Sequence, residues 1–257
     1  MAMDFLFWLP ADLGLPAALL ILAASFFSSA LTAAFGLGGG ITMLAVLALV
    51  LPVAAVIPIH GVVQLGSCLS RTFVQRRMVR WQMVWPFLLG ALVGALVGAR
   101  FVVALPEAFL KSVLGVFILA MLWGKIPVLK LRVQRLVFAL IGVVTSFLTM
   151  FLGATGPFVA AFVAPALGDR REVIGTHAAM MTFQHLFKVI AFSALGFAFA
   201  AWVPLLAGLL AVGFLGTLAG SHGLSRMREA DFRLAFRLLV SVLALDLIRR
   251  GLTPLFA

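Results

Sequence analysis

Two histidines each stand eleven residues ahead of a basic residue inside apolar sequence: His60 before Arg71, and His177 before Lys188. Charge within an apolar stretch is expensive in lipid and marks a functional site. Lys188 is the deeper of the two, with Phe-rich sequence on both sides. Arg71 lies closer to a run of arginines and is long enough to snorkel toward it. The histidines have three roles open to them: donating to an anion, carrying a coupling proton, or satisfying a buried carbonyl. His185, among Thr182, Gln184 and Lys188, is placed to line the same cavity. Carboxylates are nearly absent from the apolar stretches. Asp246 has Arg249 and Arg250 at the spacing of a helical ion pair. Glu107 and Glu229 stand where helices begin and acids complement the dipole. A cationic cavity with no acidic cation site selects anions.

A second set of candidates is glycine-led. Gly38, Gly39 and Gly40 open one short apolar segment, and Thr155, Gly156 and Pro157 open another. A helix N-terminus carries unpaired N–H groups and about half a positive charge, so it attracts anions. Glycine lets a ligand approach the backbone, and Pro157 suits a first helical turn, where its missing N–H costs nothing. The GxxxG spacings Gly94/Gly98 and Gly216/Gly220 are instead read as close helix packing.

The elements that must position these residues are apolar segments at roughly 16–35, 41–51, 53–74, 82–104 and 107–124. A second series lies at roughly 134–152, 157–168, 172–197, 202–222 and 230–248. Crossing ~30 Å of hydrocarbon takes about 20 helical residues, and most segments reach that. The second member of each series does not, and is expected to be a half-helix starting near the midplane. A shift of 117 residues places Thr32 on Thr149, Gly36 on Gly153, Gly39 on Gly156, His60 on His177, Arg71 on Lys188 and Trp85 on Trp202. A further five-residue slip places Gly94 on Gly216, Gly98 on Gly220 and Glu107 on Glu229. This is an internal duplication.

Basic residues cluster at Arg71, Arg76, Arg77 and Arg80; at Lys125, Lys130, Arg132 and Arg135; at Arg170 and Arg171; and at Arg226, Arg228, Arg233 and Arg237. If each segment reverses direction, all four clusters share one face, which should be cytoplasmic. Both termini then lie extracytoplasmic, and five reversals invert the second half relative to the first, as in many secondary transporters. Trp81, Trp85 and Trp123 fall near the inner interface and Trp8 and Trp202 near the outer one, as anchors. The expected organisation is an N-terminal segment over 1–15, a first repeat over 16–124, a cytoplasmic linker over 125–133 and a second, inverted repeat over 134–250.

Composition agrees. Of 257 residues 64% are hydrophobic, the charges amount to 19 Lys and Arg against 8 Asp and Glu, and the mean hydropathy is +1.23. Too little polar surface remains to solvate a domain this long, so lipid is the main solvent. The net charge of +11 sits in short clusters between apolar stretches, which argues against nucleic acid. A single cysteine, Cys68, forms no intrachain disulfide. Residues 1–12 hold two acids and no base, unlike a signal peptide, so the first segment is expected to be retained. No GxxxxGK[ST] nucleotide loop is present, and neither is a Gly-x-Ser-x-Gly or His-Glu-x-x-His motif, so an ATPase or an intramembrane enzyme is not indicated.

Phe35-Gly36-Leu37-Gly38-Gly39-Gly40, followed by Pro52 and a polar third helix, returns as Gly153-Ala154-Thr155-Gly156-Pro157. This pattern resembles the TauE/SafE family of sulfite exporters and 4-toluene sulfonate uptake permeases, from about residue 16 to 250. The second motif departs from the first, with Thr155 and Pro157 replacing two glycines. The resemblance implies transport of sulfur-containing anions such as sulfite, sulfonates, thiosulfate or sulfoacetate. The expectation is therefore an all-α polytopic bundle of inverted repeats with half-helices at the midplane, in the cell inner membrane. It would hold a sulfur oxyanion through Gly38, Gly39, Gly40, His60, Arg71, Thr155, Gly156, His177, His185 and Lys188, and use no cofactor. A transporter or channel for another small anion, such as a carboxylate or halide, is the alternative. A coupling proton or sodium ion, and a second copy of the chain as partner, stay open.

Overall fold

The computed structural model describes residues 13–35, 38–102, 106–124, 135–222 and 229–253. Readings that concern residues 1–12, Gly36, Leu37, Lys125, Lys130, Arg132, Arg226 and Arg228 lie outside them. So do those on the side chains of Glu107, Arg170, His222, Glu229, Arg233 and Arg237.

Ten α-helices follow one another with no strand among the described residues: α1 Leu15–Phe35, α2 Gly39–Val50, α3 Val53–Val74, α4 Trp81–Val102, α5 Glu107–Trp123, α6 Arg135–Leu152, α7 Gly156–Val163, α8 Arg170–Ala194, α9 Val203–His222 and α10 Glu229–Leu252. The chain is an all-α polytopic membrane protein. Among the described residues five helices are both long and apolar enough to cross a bilayer: α1, α3, α4, α6 and the stretch Phe199–Gly220, which takes in most of α9. The expected brevity of the second segment in each series is found, at 12 residues in α2 and 8 in α7. α5, with 17 residues, is also short, which its sequence had not suggested. α8 has ample length, 25 residues, but is less apolar because Thr176, His177, Thr182, Gln184, His185 and Lys188 on it are all buried. Its polar side faces protein rather than lipid. Outward positions are apolar instead, as with Phe27, Leu89, Leu136 and Val242, each more than 60% exposed. A surface of this kind is at rest only against hydrocarbon.

The most extensive helix contacts pair α4 with α6, α1 with α9, α5 with α10 and α3 with α8. Glycines set the closest of these. Gly90, Gly94 and Gly98 of α4 lie against Ala139, Val143 and Phe147 of α6 in turn, so these two helices run parallel. Gly216 and Gly220 of α9 meet Phe26 and Ala30 of α1, again parallel. The other two pairs are antiparallel. Gly61 of α3 faces Lys188 of α8, while Gly175 of α8 faces Gln75 just past α3. Gly115 of α5 meets Ala244 and Ile248 of α10, while Gly251 meets Ala108 and Ser112. Exchanging the two series maps α4–α6 onto α9–α1 and leaves α3–α8 and α5–α10 unchanged.

At one end of the bundle Arg80 pairs with Glu172, and the Arg80 N–H donates to Thr176 Oγ1 at 2.9 Å, tying the end of the α3–α4 turn to the start of α8. The Glu172 carboxylate beside it holds the Arg80 guanidinium above its usual value. Asp246 accepts from Arg249 at 2.7 Å and from Arg250 at 2.7 Å, the ion pair its spacing suggested.

The packing role of the glycines has a direct check. A Cβ at Gly94 runs into the Val143 carbonyl, one at Gly216 into the Phe26 carbonyl, and one at Gly168 meets nothing within 4 Å. Gly94→Ala and Gly216→Ala should each lose roughly 1–3 kcal/mol of stability, the usual cost of overpacking, while Gly168→Ala should not. Thermal unfolding of the detergent-solubilised variants reads the difference.

Candidate anion site

Each half-helix folds back from the helix before it. The residue ahead of α2, Gly38, has φ +104°, a left-handed conformation that glycine adopts without strain. Thr42 Oγ1 closes the first turn by donating to Gly38 O at 3.0 Å. Ahead of α7 the turn is made at Gly153, with φ +75°, and Pro157 occupies the first turn of the helix.

The third helix of each series holds these starts in place. His60 Nε2 donates to Gly40 O at 2.9 Å, and His177 Nε2 donates to Gly156 O at 3.0 Å. Of the three roles open to the histidines, satisfying a buried carbonyl is the one whose bond is present. Lys188 Nζ donates to Gly153 O at 2.9 Å. Gln184 Nε2 donates to Thr155 Oγ1 at 2.6 Å and to Thr145 O at 3.0 Å, and Thr155 Oγ1 donates to Thr145 O at 3.3 Å.

Between the two starts lies a narrow cavity of about 40 Å³. Gly38, Gly40 and Ile41 wall it from the start of α2, Ala154, Gly156 and Pro157 from the start of α7, and Thr32 from α1. Gln64, Cys68 and Arg71 of α3 close one side, and His177, Met181 and His185 of α8 the other. A helix leaves its first N–H groups without intrahelical partners, so both half-helices present donors and positive dipole ends here. Arg71 adds a guanidinium. Its Nε donates to Ser67 O at 3.4 Å and its Nη2 to Cys68 Sγ at 3.2 Å. That uses two of its five donors. Among the described residues no carboxylate pairs with Arg71 or Lys188. His185 Nδ1 is buried without a hydrogen-bond partner. The arrangement can coordinate a small anion from several directions. Among the described residues no three His, Cys, Asp or Glu side chains are grouped to hold a metal ion.

The ten residues singled out from sequence therefore separate. Gly38, Gly40, Arg71, Gly156, His177 and His185 line the cavity. Gly39, His60, Thr155 and Lys188 do not. Gly39 is turned to α1, where a Cβ would strike Ser28 O and Thr32 Oγ1, so its smallness serves the α1–α2 hairpin. Thr155, fully buried, has its hydroxyl engaged by Gln184 and Thr145. His60 and Lys188, also fully buried, are spent on backbone carbonyls behind the wall. Sequence reading missed Gln64 and Cys68. The duplication held the signal for Cys68, because the 117-residue shift places it on His185.

Comparison with known families agrees with this architecture. The chain belongs to the sulfite exporter TauE/SafE family, which it matches over residues 21–247. Comparison with curated proteins and with solved structures gives no match. As a TauE/SafE protein it is a multi-pass membrane transporter, and the family is one of sulfur compounds.

Two glycines that look alike in the TauE/SafE motif should behave differently. Gly39→Ala forces a Cβ onto α1 backbone, while a Cβ at Gly156 stands 3.6 Å from His177 Nε2, an ordinary contact. Thermal unfolding should show a fall of roughly 1–3 kcal/mol for Gly39→Ala. Gly156→Ala should fold normally and reveal its effect, if it blocks a ligand, in anion titrations.

Proposed function

We propose that this protein is a secondary transporter of a sulfur-containing anion (a sulfonate, sulfite or a related sulfur oxyanion) in a cell inner membrane, and that the anion sits in the cavity between the two half-helix starts. One observation carries the reading: the Arg71 guanidinium, paired with no carboxylate among the described residues, opens onto a cavity walled by both N-termini. A planar cationic fork beside two positive dipole ends favours an oxyanion and repels a cation. His177, His185, Gln64 and Cys68 surround it with polar groups. The choice of sulfur rests on the family.

The same reading makes the two halves inverted repeats. Its support is the direction of the helices: α3 and its counterpart α8 run antiparallel, and so do α5 and α10. Two halves of opposite orientation around one site suit alternating access, with one half rocking against the other. The basic clusters put the α3–α4 turn on the cytoplasmic side and both termini outside.

Titration calorimetry of purified protein with sulfite, thiosulfate and 4-toluene sulfonate, against acetate and chloride, tests the substrate. A sulfur anion should bind, and Arg71→Gln should weaken it at least about 30-fold, the effect of removing one partner from a desolvated charge contact. Arg71→Lys should keep part of the affinity. Undiminished binding by Arg71→Gln would remove the cavity as the site, and binding of acetate or chloride alone would remove the sulfur specificity. Orientation is read in a Cys68→Ser background. Single cysteines at positions 78 and 200 should react with an impermeant reagent from opposite sides of the membrane, and reaction from the same side would overturn the inverted arrangement.

A further inference from the structure

The turn ahead of α7 has two faces. On one, Ala154 lines the anion cavity. On the other, Gly153 rests on Leu44 and Ile57, where a Cβ would stand 2.7 Å from Leu44 Cδ1 and 3.1 Å from Ile57 Cδ1. Ile57 also lines a second, larger cavity of about 400 Å³, with apolar walls that include Met150, Phe151, Phe192 and Phe197. This space lies by the first turns of α3, at Val53 and Ala54, and by the end of α8, at Leu195. The anion cavity lies further along α3, at Gln64, Cys68 and Arg71. The Gly153 turn, with Leu44 and Ile57, stands between the two.

Two side chains of α8 hold that turn, Gln184 at Thr155 Oγ1 and Lys188 at the Gly153 carbonyl. Lys188 of α8 reaches Gly153 O at 2.9 Å, where the carbonyl also accepts from Thr149 Oγ1 at 2.9 Å. The carbonyl follows the last residues of α6, the negative end of that helix, which suits a basic donor. Lys188 is fully buried, touches no carboxylate among the described residues and does not line the anion cavity. Its stem crosses α3 at Gly61, where a Cβ would come within 3.1 Å of Lys188 Cε. Arg71, its counterpart in the duplication, does none of this: it opens onto the cavity and bonds Ser67 and Cys68.

We infer that Lys188 is a positioning residue that latches the Gly153 turn, and that this turn, seated on Leu44 and Ile57, is the gate between the anion cavity and the apolar cavity. The inference rests on the transporter reading. For an anion to pass between the two spaces the turn leaves Leu44 and Ile57, and the Gly153 carbonyl leaves Lys188. A fully buried lysine donor that loses its acceptor is unfavourable, so the latch holds the gate shut until the halves rearrange.

Cys68 is a native reporter, the chain's only cysteine, on the wall of the anion cavity. In full-length protein reconstituted in liposomes, an impermeant anionic methanethiosulfonate applied from either side measures access to it. The parent should react from the side away from the apolar cavity. Lys188→Met, which keeps the length and removes the donor, should react from both, with the rate from the apolar side raised about tenfold, the factor an ordinary hydrogen bond supplies. Gly61→Ala should act in the same direction by displacing the stem, and it carries the test if Lys188→Met does not fold. Sulfite affinity should stay near that of the parent in both, whereas Arg71→Gln should lose affinity without opening the gate. Unchanged access to Cys68 in both variants, or equal access from both sides in the parent, overturns the latch. A loss of sulfite affinity in Lys188→Met as steep as in Arg71→Gln would make Lys188 a substrate contact instead. Opened access in a protein that binds no sulfur anion would uphold the latch and remove the sulfur-anion reading.

Discussion

A helix broken inside hydrocarbon leaves N–H groups at its start and carbonyls in the turn before it, with no water to receive them. This protein breaks its chain twice ahead of short apolar helices, before α2 and before α7, and the rest of the bundle answers the two breaks. The turn carbonyl Gly153 O is taken by Lys188 and Thr149, and His60 and His177 hold the helix starts themselves through Gly40 O and Gly156 O. Both helix starts border one shared cavity, where an anion can receive the N–H groups of a first turn. Side chains that reach carbonyls at this depth must themselves be buried, which is why α3 and α8 are the polar helices and lie at the centre, face to face. The apolar pairs α1–α9 and α4–α6 then close tightly through glycine seams and meet the lipid.

The two series of helices are alike in order and unlike in chemistry. In the second half Gln184, Thr145, Thr155 and Lys188 brace the turn before α7 through a chain of hydrogen bonds. In the first, Arg71 is turned to the cavity and the turn before α2 depends on glycine conformation at Gly38. A braced half and a half that carries the charge suit a transporter, because the same site must hold an anion firmly and still release it when the halves move.

Much of this was legible in the sequence. Composition and segment length determined a helical membrane bundle, the short second segments determined where helices break, and the matched His, Trp and basic residues pointed to a duplication. These are properties of chain order and solvent: a 12-residue apolar segment is short in any fold, and a buried arginine or lysine needs a partner in any bilayer. The ion pair of Asp246 with Arg249 and Arg250 was readable for the same reason, since helical spacing alone brings the groups together.

Which residues face the cavity was decided only by tertiary structure. Side-chain direction depends on how each helix is rotated against its neighbours, and that rotation is set by packing far away in sequence. Gly39 and Gly156 are equivalent in the motif, yet α1 crowds the first while the second opens to the site. Arg71 and Lys188 are equivalent in the duplication, yet one borders the cavity and the other crosses Gly61 to a carbonyl behind it. Gln64 and Cys68 carry no charge and join the cavity wall because their face of α3 is turned inward. A repeat equates positions along the chain, and only the packed helices give each position its surroundings.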